Sequence, residues 1–294
     1  MEIRKIPEDY TYISAFLTMR CNLSCSFCLN AFDKEFDRKN FKEISGQEWV
    51  NALNKIESRP SVPITLSGGE PSLHKDFIYI LNNLKPELNI DILTNLHWSE
   101  SVFEKFISEV NPTRIKRNSP YASIRASYHP EQMGDGKKLV ENAKRLKNAE
   151  FDVGIWSVLY PSPTQLSAIN QMQFRCKDEG VEFRVKEFTG DYKGEMYGNY
   201  SKYPEATKGK LESCLCKTSE LLIGPSGEAY KCHRDLYAEE FPLGNIINEN
   251  FQIKNDFIKC ANYGECHPCD VKVKTNYKQE LGYTSVEIKR NRKV

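Results

Sequence analysis

Ten cysteines are the residues of this sequence best suited to chemistry. Three of them, Cys21, Cys25 and Cys28, follow a C-x3-C-x2-C spacing, and six lie after residue 213. The N-terminal residues lack the apolar segment of a secretory signal, so we expect a reducing, cytoplasmic environment. In that environment, cysteines are better explained as metal ligands or catalytic groups than as disulfides. The two groups of thiols therefore predict two separate metal sites.

The first group of thiols suits an iron–sulfur centre. Structural zinc usually takes four protein ligands. Three thiolates on one short loop instead suit a [4Fe–4S] cluster with one iron left open to a substrate or cofactor. Two alternatives stay open here: three buried small hydrophobic side chains, or a zinc knuckle completed by a distant residue.

A second motif, Ser67-Gly68-Gly69-Glu70-Pro71, ends the second predicted strand. Two glycines let the backbone approach a ligand closely, and Glu70 would supply negative charge for an ammonium group. By itself the motif is also an ordinary turn. Its position at a strand end, about forty residues after the cysteine triplet, favours a ligand site, because ligands gather at the carboxyl ends of parallel strands.

The two motifs together resemble those of a known family. Residues 21–28, CNLSCSFC, resemble the cluster motif of radical S-adenosylmethionine (SAM) enzymes, and residues 67–71 resemble that family's GGEP element. The resemblance implies that the open iron binds the amino and carboxylate groups of SAM. One electron then cleaves SAM to a 5′-deoxyadenosyl radical, which abstracts hydrogen from the substrate. The cofactor contacts implied by the resemblance are Phe27, Gly68, Gly69, Glu70, Pro71, Thr94, Asn95, Arg125 and Ser127.

The second group of thiols also resembles a family element. Cys216-x10-Gly227-x4-Cys232, followed by a C-x-x-C pair, resembles the auxiliary-cluster domain of many radical SAM enzymes, in its short form called twitch rather than the longer SPASM form. The predicted ligands of one auxiliary [4Fe–4S] cluster are Cys216, Cys232, Cys266 and Cys269. Cys214 is the alternative to Cys216, since we expect the two to point to opposite sides of an extended segment. Cys260 is expected to be only a buried thiol, and a structural zinc site remains the alternative to the cluster.

Strands and helices alternate through the first two thirds of the chain, which predicts parallel βαβ units. Six units favour an α/β fold with a partial (β/α)6 TIM-like barrel over residues 1–205. A small cysteine-rich auxiliary-cluster domain is expected over residues 206–294. Helix starts are predicted from a serine cap at Ser99 and from capping boxes at Ser45 with Glu48 and Ser162 with Gln165. The predicted strands are Tyr12–Thr18, Val62–Ser67, Asn89–Thr94, Ala122–Tyr128, Asp152–Leu159 and Val181–Phe188.

Substrate-binding and catalytic side chains are predicted on the sixth strand. Alternation puts Arg184 and Lys186 on one face and Glu187 on the other. Charge on a buried barrel strand is costly unless it is paired or used, so an inward Arg184–Lys186 pair would suit an anionic carboxylate or phosphate group. An edge strand with solvated basic residues is the alternative.

Composition excludes several classes of function. The 41 basic and 40 acidic residues balance to +1, which gives no electrostatic footprint for nucleic acid, and no apolar run is long enough to span a membrane. We therefore expect a radical SAM enzyme acting on a small, possibly anionic or carbohydrate-like metabolite, reduced by a donor such as flavodoxin or ferredoxin. The auxiliary cluster would accept an electron from a substrate radical or help to bind substrate. Two alternatives are a maturase that modifies a ribosomally synthesised peptide and a non-catalytic zinc-binding interaction protein.

Overall fold

The computed structural model of the protein describes residues 3–28, 41–274 and 282–290. The strands are β1 (Arg4–Lys5), β2 (Tyr12–Thr18), β3 (Ile56–Glu57), β4 (Ile64–Gly68), β5 (Ile90–Thr94), β6 (Ile124–Tyr128), β7 (Val153–Leu159), β8 (Glu182–Glu187), β9 (Gly190–Tyr192), β10 (Glu195–Tyr197), β11 (Glu212–Thr218), β12 (Glu220–Ile223), β13 (Glu228–Tyr230), β14 (Gly244–Asn245), β15 (Ile258–Tyr263) and β16 (Val286–Arg290). The helices are α1 (Gly46–Leu53), α2 (Phe77–Asn83), α3 (Glu100–Glu109), α4 (Pro130–Met133), α5 (Lys137–Asn148), α6 (Pro163–Asp178), α7 (His233–Ala238) and α8 (Pro268–Val271).

A nine-stranded sheet forms the centre of the fold, in the order β14-β13-β12-β2-β4-β5-β6-β7-β8. The strands β2, β4, β5, β6, β7 and β8 are the six predicted ones, and neighbours among them pair in parallel. The structure confirms the α/β class and the six-stranded partial barrel. The strand β2 has the predicted bounds, and the other five begin and end within two residues of theirs.

The cysteine-rich segment contributes strands to the central sheet. The strand β12 pairs in parallel with β2, with Leu221 opposite Ile13, and β13 and β14 continue the sheet beyond it. A second, three-stranded sheet has the order β15-β11-β16. The domain boundary at residue 206 stays a prediction. The strand β12, which lies beyond that residue, pairs with the edge of β2 opposite to the one that pairs with β4.

Helix starts follow the predicted caps in two of three places. The Ser45 hydroxyl accepts from the backbone N–H of Glu48 at 3.3 Å, and the Glu48 carboxylate accepts from the N–H of Ser45 at 2.7 Å. The Ser99 hydroxyl likewise accepts from the N–H of Val102. The predicted capping box at Ser162 is wrong, because its side chain makes no capping hydrogen bond. There, Pro163 at the first helical position fits the helix with its fixed φ.

The two faces of β2 show how the barrel is held together and where its chemistry lies. Ile13, Ala15 and Leu17 belong to the apolar core between the sheet and the helices. The residues between them point to the barrel interior, where the Ser14 hydroxyl lies 2.6 Å from that of Ser67. The inner face carries polar groups together with Phe16, which packs against Leu222 and Tyr230 of the cysteine-rich segment. Among the described residues, no helix combines the length and apolar character that a membrane span needs.

Candidate active site

A cavity of about 580 Å³ lies at the carboxyl ends of the barrel strands. One wall is the loop after β2, which carries the cysteine triplet, and the floor consists of the ends of β4, β5 and β6. The opposite wall comes from β8 and from the cysteine-rich segment, through residues such as His233, Tyr237 and Lys272. The cavity therefore joins the two parts of the chain that carry thiols.

The loop after β2 brings the three predicted thiols to this one cavity. Cys21, Cys25 and Cys28 are all partly exposed and all line it. The N–H of Cys28 donates to the carbonyl of Cys25 at 3.2 Å, and the N–H of Leu23 to the Sγ of Cys21 at 3.5 Å. Backbone N–H groups directed at a sulfur are typical of cluster-binding loops. The three thiols thus fit a [4Fe–4S] cluster, which they would hold through three of its four irons.

The short helix α4 anchors the same loop. The Glu131 carboxylate accepts from the Ser26 hydroxyl at 2.8 Å, and the N–H of Ser24 donates to Gln132 at 3.3 Å. Sequence reasoning missed both anchors, because no spacing relates residue 131 to residue 26. Phe27, between the anchored residues and Cys28, lines the cavity and stacks on Tyr160 with ring centres 4.8 Å apart. A flat aromatic face is therefore available where adenine contact is predicted.

The glycine pair allows two backbone segments to touch. A Cβ on Gly69 would lie 2.2 Å from the carbonyl oxygen of Arg20 and 2.5 Å from that of Met19. A Cβ on Gly68, where φ is +143°, would lie 2.0 Å from the carbonyl oxygen of Thr18. Both glycines line the cavity, and both also set the position at which the cysteine loop leaves β2.

We expect Gly69→Ala to displace this loop, because the clash is with backbone atoms that cannot rotate away. The variant should bind less iron after anaerobic reconstitution and unfold at a temperature lower by about 4–8 °C, for a cost of about 2 kcal/mol. The control is Gly209→Ala: φ there is +75° and an added Cβ would meet no atom within 4 Å, so this exposed site costs about 1–2 kcal/mol of left-handed backbone strain without a clash and should keep the wild-type iron content. Wild-type iron content and melting temperature in Gly69→Ala would contradict the close approach.

Glu70 lies behind the cavity wall rather than on it. Its carboxylate is fully buried and accepts from the Thr94 hydroxyl at 2.9 Å, from the Asn95 N–H at 2.7 Å and from the Trp98 indole at 3.0 Å. Burial raises the pKa of this carboxyl, and the hydrogen bonds oppose that rise. The structure therefore does not place Glu70 against a cofactor ammonium, because its oxygens are committed to the next strand end. Pro71 is buried too and begins a 3-10 turn, Pro71–Leu73.

The remaining predicted cofactor contacts divide between the cavity and the barrel interior. Thr94, Asn95 and Ser127 line the cavity, and the Asn95 amide lies 3.8 Å from the Sγ of Cys21. Arg125 does not line it. Its guanidinium lies 3.1 Å from Asp91, because the buried carboxylate on the neighbouring strand needs positive partners.

The three predicted substrate residues on β8 are also divided. Lys186 and Glu187 line the cavity, whereas Arg184 packs over the ring of Trp156 and pairs with Glu182 outside it. Arg184 therefore does not share the cavity wall with Lys186, and the substrate role of the three residues stays a prediction. Lys186 is accessible to solvent, but its partial desolvation inside the cavity, together with the positive charges of Arg125 and Lys272, lowers its pKa to about 7. Lys272, which sequence reasoning missed because no motif marks it, adds a second amine to the cavity wall.

The thiols of the cysteine-rich segment do not all gather at one place. Cys216, Cys232 and Cys266 line a small pocket together with Cys260, whereas Cys269 lines the catalytic cavity. Cys214 and Cys216 are both buried on one face of β11, since residues two apart in a strand point the same way. The expectation that they point to opposite sides is wrong. In the described ranges, no three His, Cys, Asp or Glu side chains are grouped as around a single metal ion.

Comparison with known proteins agrees with this geometry. A parallel partial barrel with three thiols at its mouth is the arrangement of an iron–sulfur enzyme. The family model of the radical SAM superfamily matches residues 16–166, and the chain belongs to that superfamily. It is therefore an enzyme that uses a [4Fe–4S] cluster and SAM, and the alternative of a non-catalytic zinc-binding protein is wrong.

Relatives and solved structures differ in how much of the chain they cover. The sporulation killing factor maturation protein SkfB of Bacillus subtilis is 32% identical over 33% of this chain and 24% of its own length. The probable GTP 3′,8-cyclase of Methanopyrus kandleri is 32% identical over 27% of this chain and also 24% of its own length. The chain thus matches about a quarter of the length of these two curated relatives. The structure of native anSMEcpe with bound AdoMet and Kp18Cys peptide has a TM-score of 0.52 and 15% identity over 92% of this chain and 93% of that one, which shows a shared fold.

Proposed function

We propose that this enzyme abstracts hydrogen from a small anionic substrate, with an auxiliary [4Fe–4S] cluster in the cysteine-rich segment. The observation that carries the proposal is the single cavity that joins the Cys21–Cys28 loop to Lys186 and Lys272. With a [4Fe–4S] cluster and SAM bound, this site supplies one-electron cleavage of SAM and a 5′-deoxyadenosyl radical. The substrate must then lie between the SAM side and the cysteine-rich side of the same cavity.

The chain's own residues divide the work within the cavity. Phe27 offers an aromatic face to adenine, and the Gly68–Gly69 backbone allows close approach to the methionine end of SAM. Lys186 and Lys272 supply positive charge on the opposite wall, while Lys274, also at the wall, is engaged by the buried carboxylate of Glu220. Among the described residues, neither Lys186 nor Lys272 forms an ion pair within 4 Å, and Glu187 is the carboxylate that shares their part of the wall. Two such amines favour a substrate with a carboxylate or phosphate group.

The charge of Lys186 predicts a pH dependence of anion binding. The amine is protonated below its pKa of about 7 and neutral above it, so attraction for an anion is strongest at low pH and is lost as the pH rises through 7. With SAM bound, affinity for sulfate, whose charge is constant in this range, should fall about tenfold between pH 6 and pH 8.5. Titration calorimetry measures this affinity.

Two variants control the pH experiment. Lys186→Gln should bind sulfate weakly at every pH. Arg184→Gln, which removes a neighbouring charge that does not line the cavity, should keep the wild-type profile. A profile without pH dependence in the wild type, or one abolished equally by Arg184→Gln, would contradict the role of Lys186.

A ribosomally synthesised peptide, which the enzyme would modify, is the second candidate substrate. It is supported by the likeness to SkfB, a maturation protein, and by the shared fold with anSMEcpe bound to a peptide. The strand β8 ends the sheet order among the described strands, and its residues line the cavity. An extended peptide could pair with such an edge strand.

One experiment distinguishes the two substrate classes. The protein is reconstituted anaerobically with iron and sulfide, reduced in the presence of SAM by dithionite or by flavodoxin or ferredoxin, and supplied with cell extract divided at 1 kDa. Additional 5′-deoxyadenosine with the low-mass fraction supports the small anionic substrate. Additional 5′-deoxyadenosine only with the high-mass fraction, lost after protease treatment of that fraction, supports a peptide substrate. No 5′-deoxyadenosine from the iron-loaded, folded enzyme under any condition would contradict the proposed reaction.

A further inference from the structure

Four thiols from four separate places in the cysteine-rich segment meet at one pocket. Cys216 lies on β11, Cys260 on β15, Cys232 directly before α7 and Cys266 shortly before α8. All four line the same small pocket and pack within or against one cluster of buried residues. The antiparallel pairing of β11 with β15 brings Cys260 to this place, with Cys260 directly opposite Cys214.

Cys269 is the second residue of α8. It contributes to the wall of the catalytic cavity together with Lys186, His233 and Lys272, and it does not line the four-thiol pocket. Cys266 lies two residues before the first residue of α8, whereas Cys269 lies in its first turn. Only the first of them reaches the pocket.

Cys214 does not line the four-thiol pocket. It lines a surface groove with Lys259 and Phe241, and Cys260 lines both that groove and the four-thiol pocket. Cys214 is thus a neighbour of both Cys260, its partner across the β11–β15 pair, and Cys216, on the same face of β11. Cys214 is well placed to pack against Cys260 but not to complete the set.

We propose that Cys216, Cys232, Cys260 and Cys266 hold the auxiliary [4Fe–4S] cluster, and that Cys269 remains a thiol of the catalytic cavity. This assignment rests on the auxiliary cluster of the proposed function and replaces the spacing-based set that included Cys269. A [4Fe–4S] cluster takes one thiolate at each of four irons, which matches four thiols around a common pocket. The pocket is also lined by Lys231 and Arg234, which pair with the carboxylate of Asp235, and by Asp270.

The test compares three single substitutions in the full-length, reconstituted protein. Wild type should hold about eight irons per chain, and Cys260→Ala about four, because one of two four-iron clusters is lost. Cys269→Ala and the matched control Cys214→Ala should keep about eight irons. Low-temperature electron paramagnetic resonance of the reduced proteins should show the loss of one of two signals in Cys260→Ala only.

Alkylation of the wild type gives a second measurement that needs no variant to fold. Iodoacetamide followed by peptide mass spectrometry should label Cys269 in the reconstituted protein and leave Cys216, Cys232, Cys260 and Cys266 protected until the iron is chelated. An auxiliary cluster lost in Cys269→Ala but kept in Cys260→Ala, or protection of Cys269 in place of Cys260, would overturn the assignment. About four irons in the wild type would instead contradict the auxiliary cluster itself.

Discussion

Replacement of Cys25 by alanine is expected to abolish formation of 5′-deoxyadenosine and to remove about four of about eight irons per chain. Cys25 is the middle thiol of the loop after β2, and all three thiols of this loop line the cavity. A cluster with an open iron has no spare protein ligand, so the loss of one thiolate leaves two irons without a protein partner. Iron analysis and chromatographic detection of 5′-deoxyadenosine after reduction measure the two effects.

The fold should survive this substitution, because Cys25 is partly exposed and contributes to no cluster of buried apolar residues. The melting temperature of the iron-free variant should therefore equal that of the iron-free wild type within about 2 °C. Cys176→Ala is the matched control: that thiol is buried in the core, so its loss should lower stability while iron content and cleavage persist.

Cys269→Ala is expected to separate the cleavage of SAM from the consumption of substrate. Because Cys269 lies on the wall that faces the proposed substrate, its loss should leave 5′-deoxyadenosine formation but uncouple it from substrate consumption. The ratio of 5′-deoxyadenosine to modified product measures the coupling. Equally complete loss of cleavage in folded Cys25→Ala and Cys269→Ala would contradict separate roles for the two thiols.

The parts of the fold that could be predicted are those set by local sequence. Buried parallel strands are continuous apolar runs, and this is why β2 was predicted with the bounds that it has. The addition of β12 to β2 could not be predicted in this way. Its partner lies some two hundred residues earlier in the chain, and no local pattern specifies so distant a pairing.

The same distinction applies to the site. The thiols of residues 21–28 lie on one loop, so their spacing already requires them to be neighbours. The position of Arg125 depends instead on Asp91 from another strand, because the Asp91 carboxylate forms an ion pair with the Arg125 guanidinium. The place of Cys260 depends on the register of β11 with β15. Spacing within a motif therefore predicted which residues have the right chemistry, and tertiary pairing decides which of them meet.

Glu70→Ala is expected to cause the largest loss of stability of any single substitution in the motif at residues 67–71. The fully buried carboxylate accepts from Thr94, Asn95 and Trp98, and from the N–H of Ser72 at 3.1 Å. Removal of the acceptor leaves the buried Thr94 hydroxyl and Asn95 N–H without this partner, while the Trp98 indole keeps Thr94 Oγ1 at 2.9 Å; the expected cost is about 3–5 kcal/mol. For a domain of this size, the melting temperature should fall by about 10 °C or more.

The effect should also reach the cavity, because Thr94 and Asn95 line it. Affinity for SAM, measured by equilibrium dialysis of the reconstituted protein, should therefore fall together with stability. Glu70→Gln should lie between wild type and Glu70→Ala, since its amide keeps one acceptor oxygen but turns an NH2 group toward donors. Glu100→Ala is the control, because Glu100 is exposed and pairs with Arg145 only at the surface, where ion pairs contribute little. If Glu70→Ala melted within about 2 °C of the wild type while binding SAM more weakly, Glu70 would act as a cofactor ligand rather than as the residue that holds the strand end.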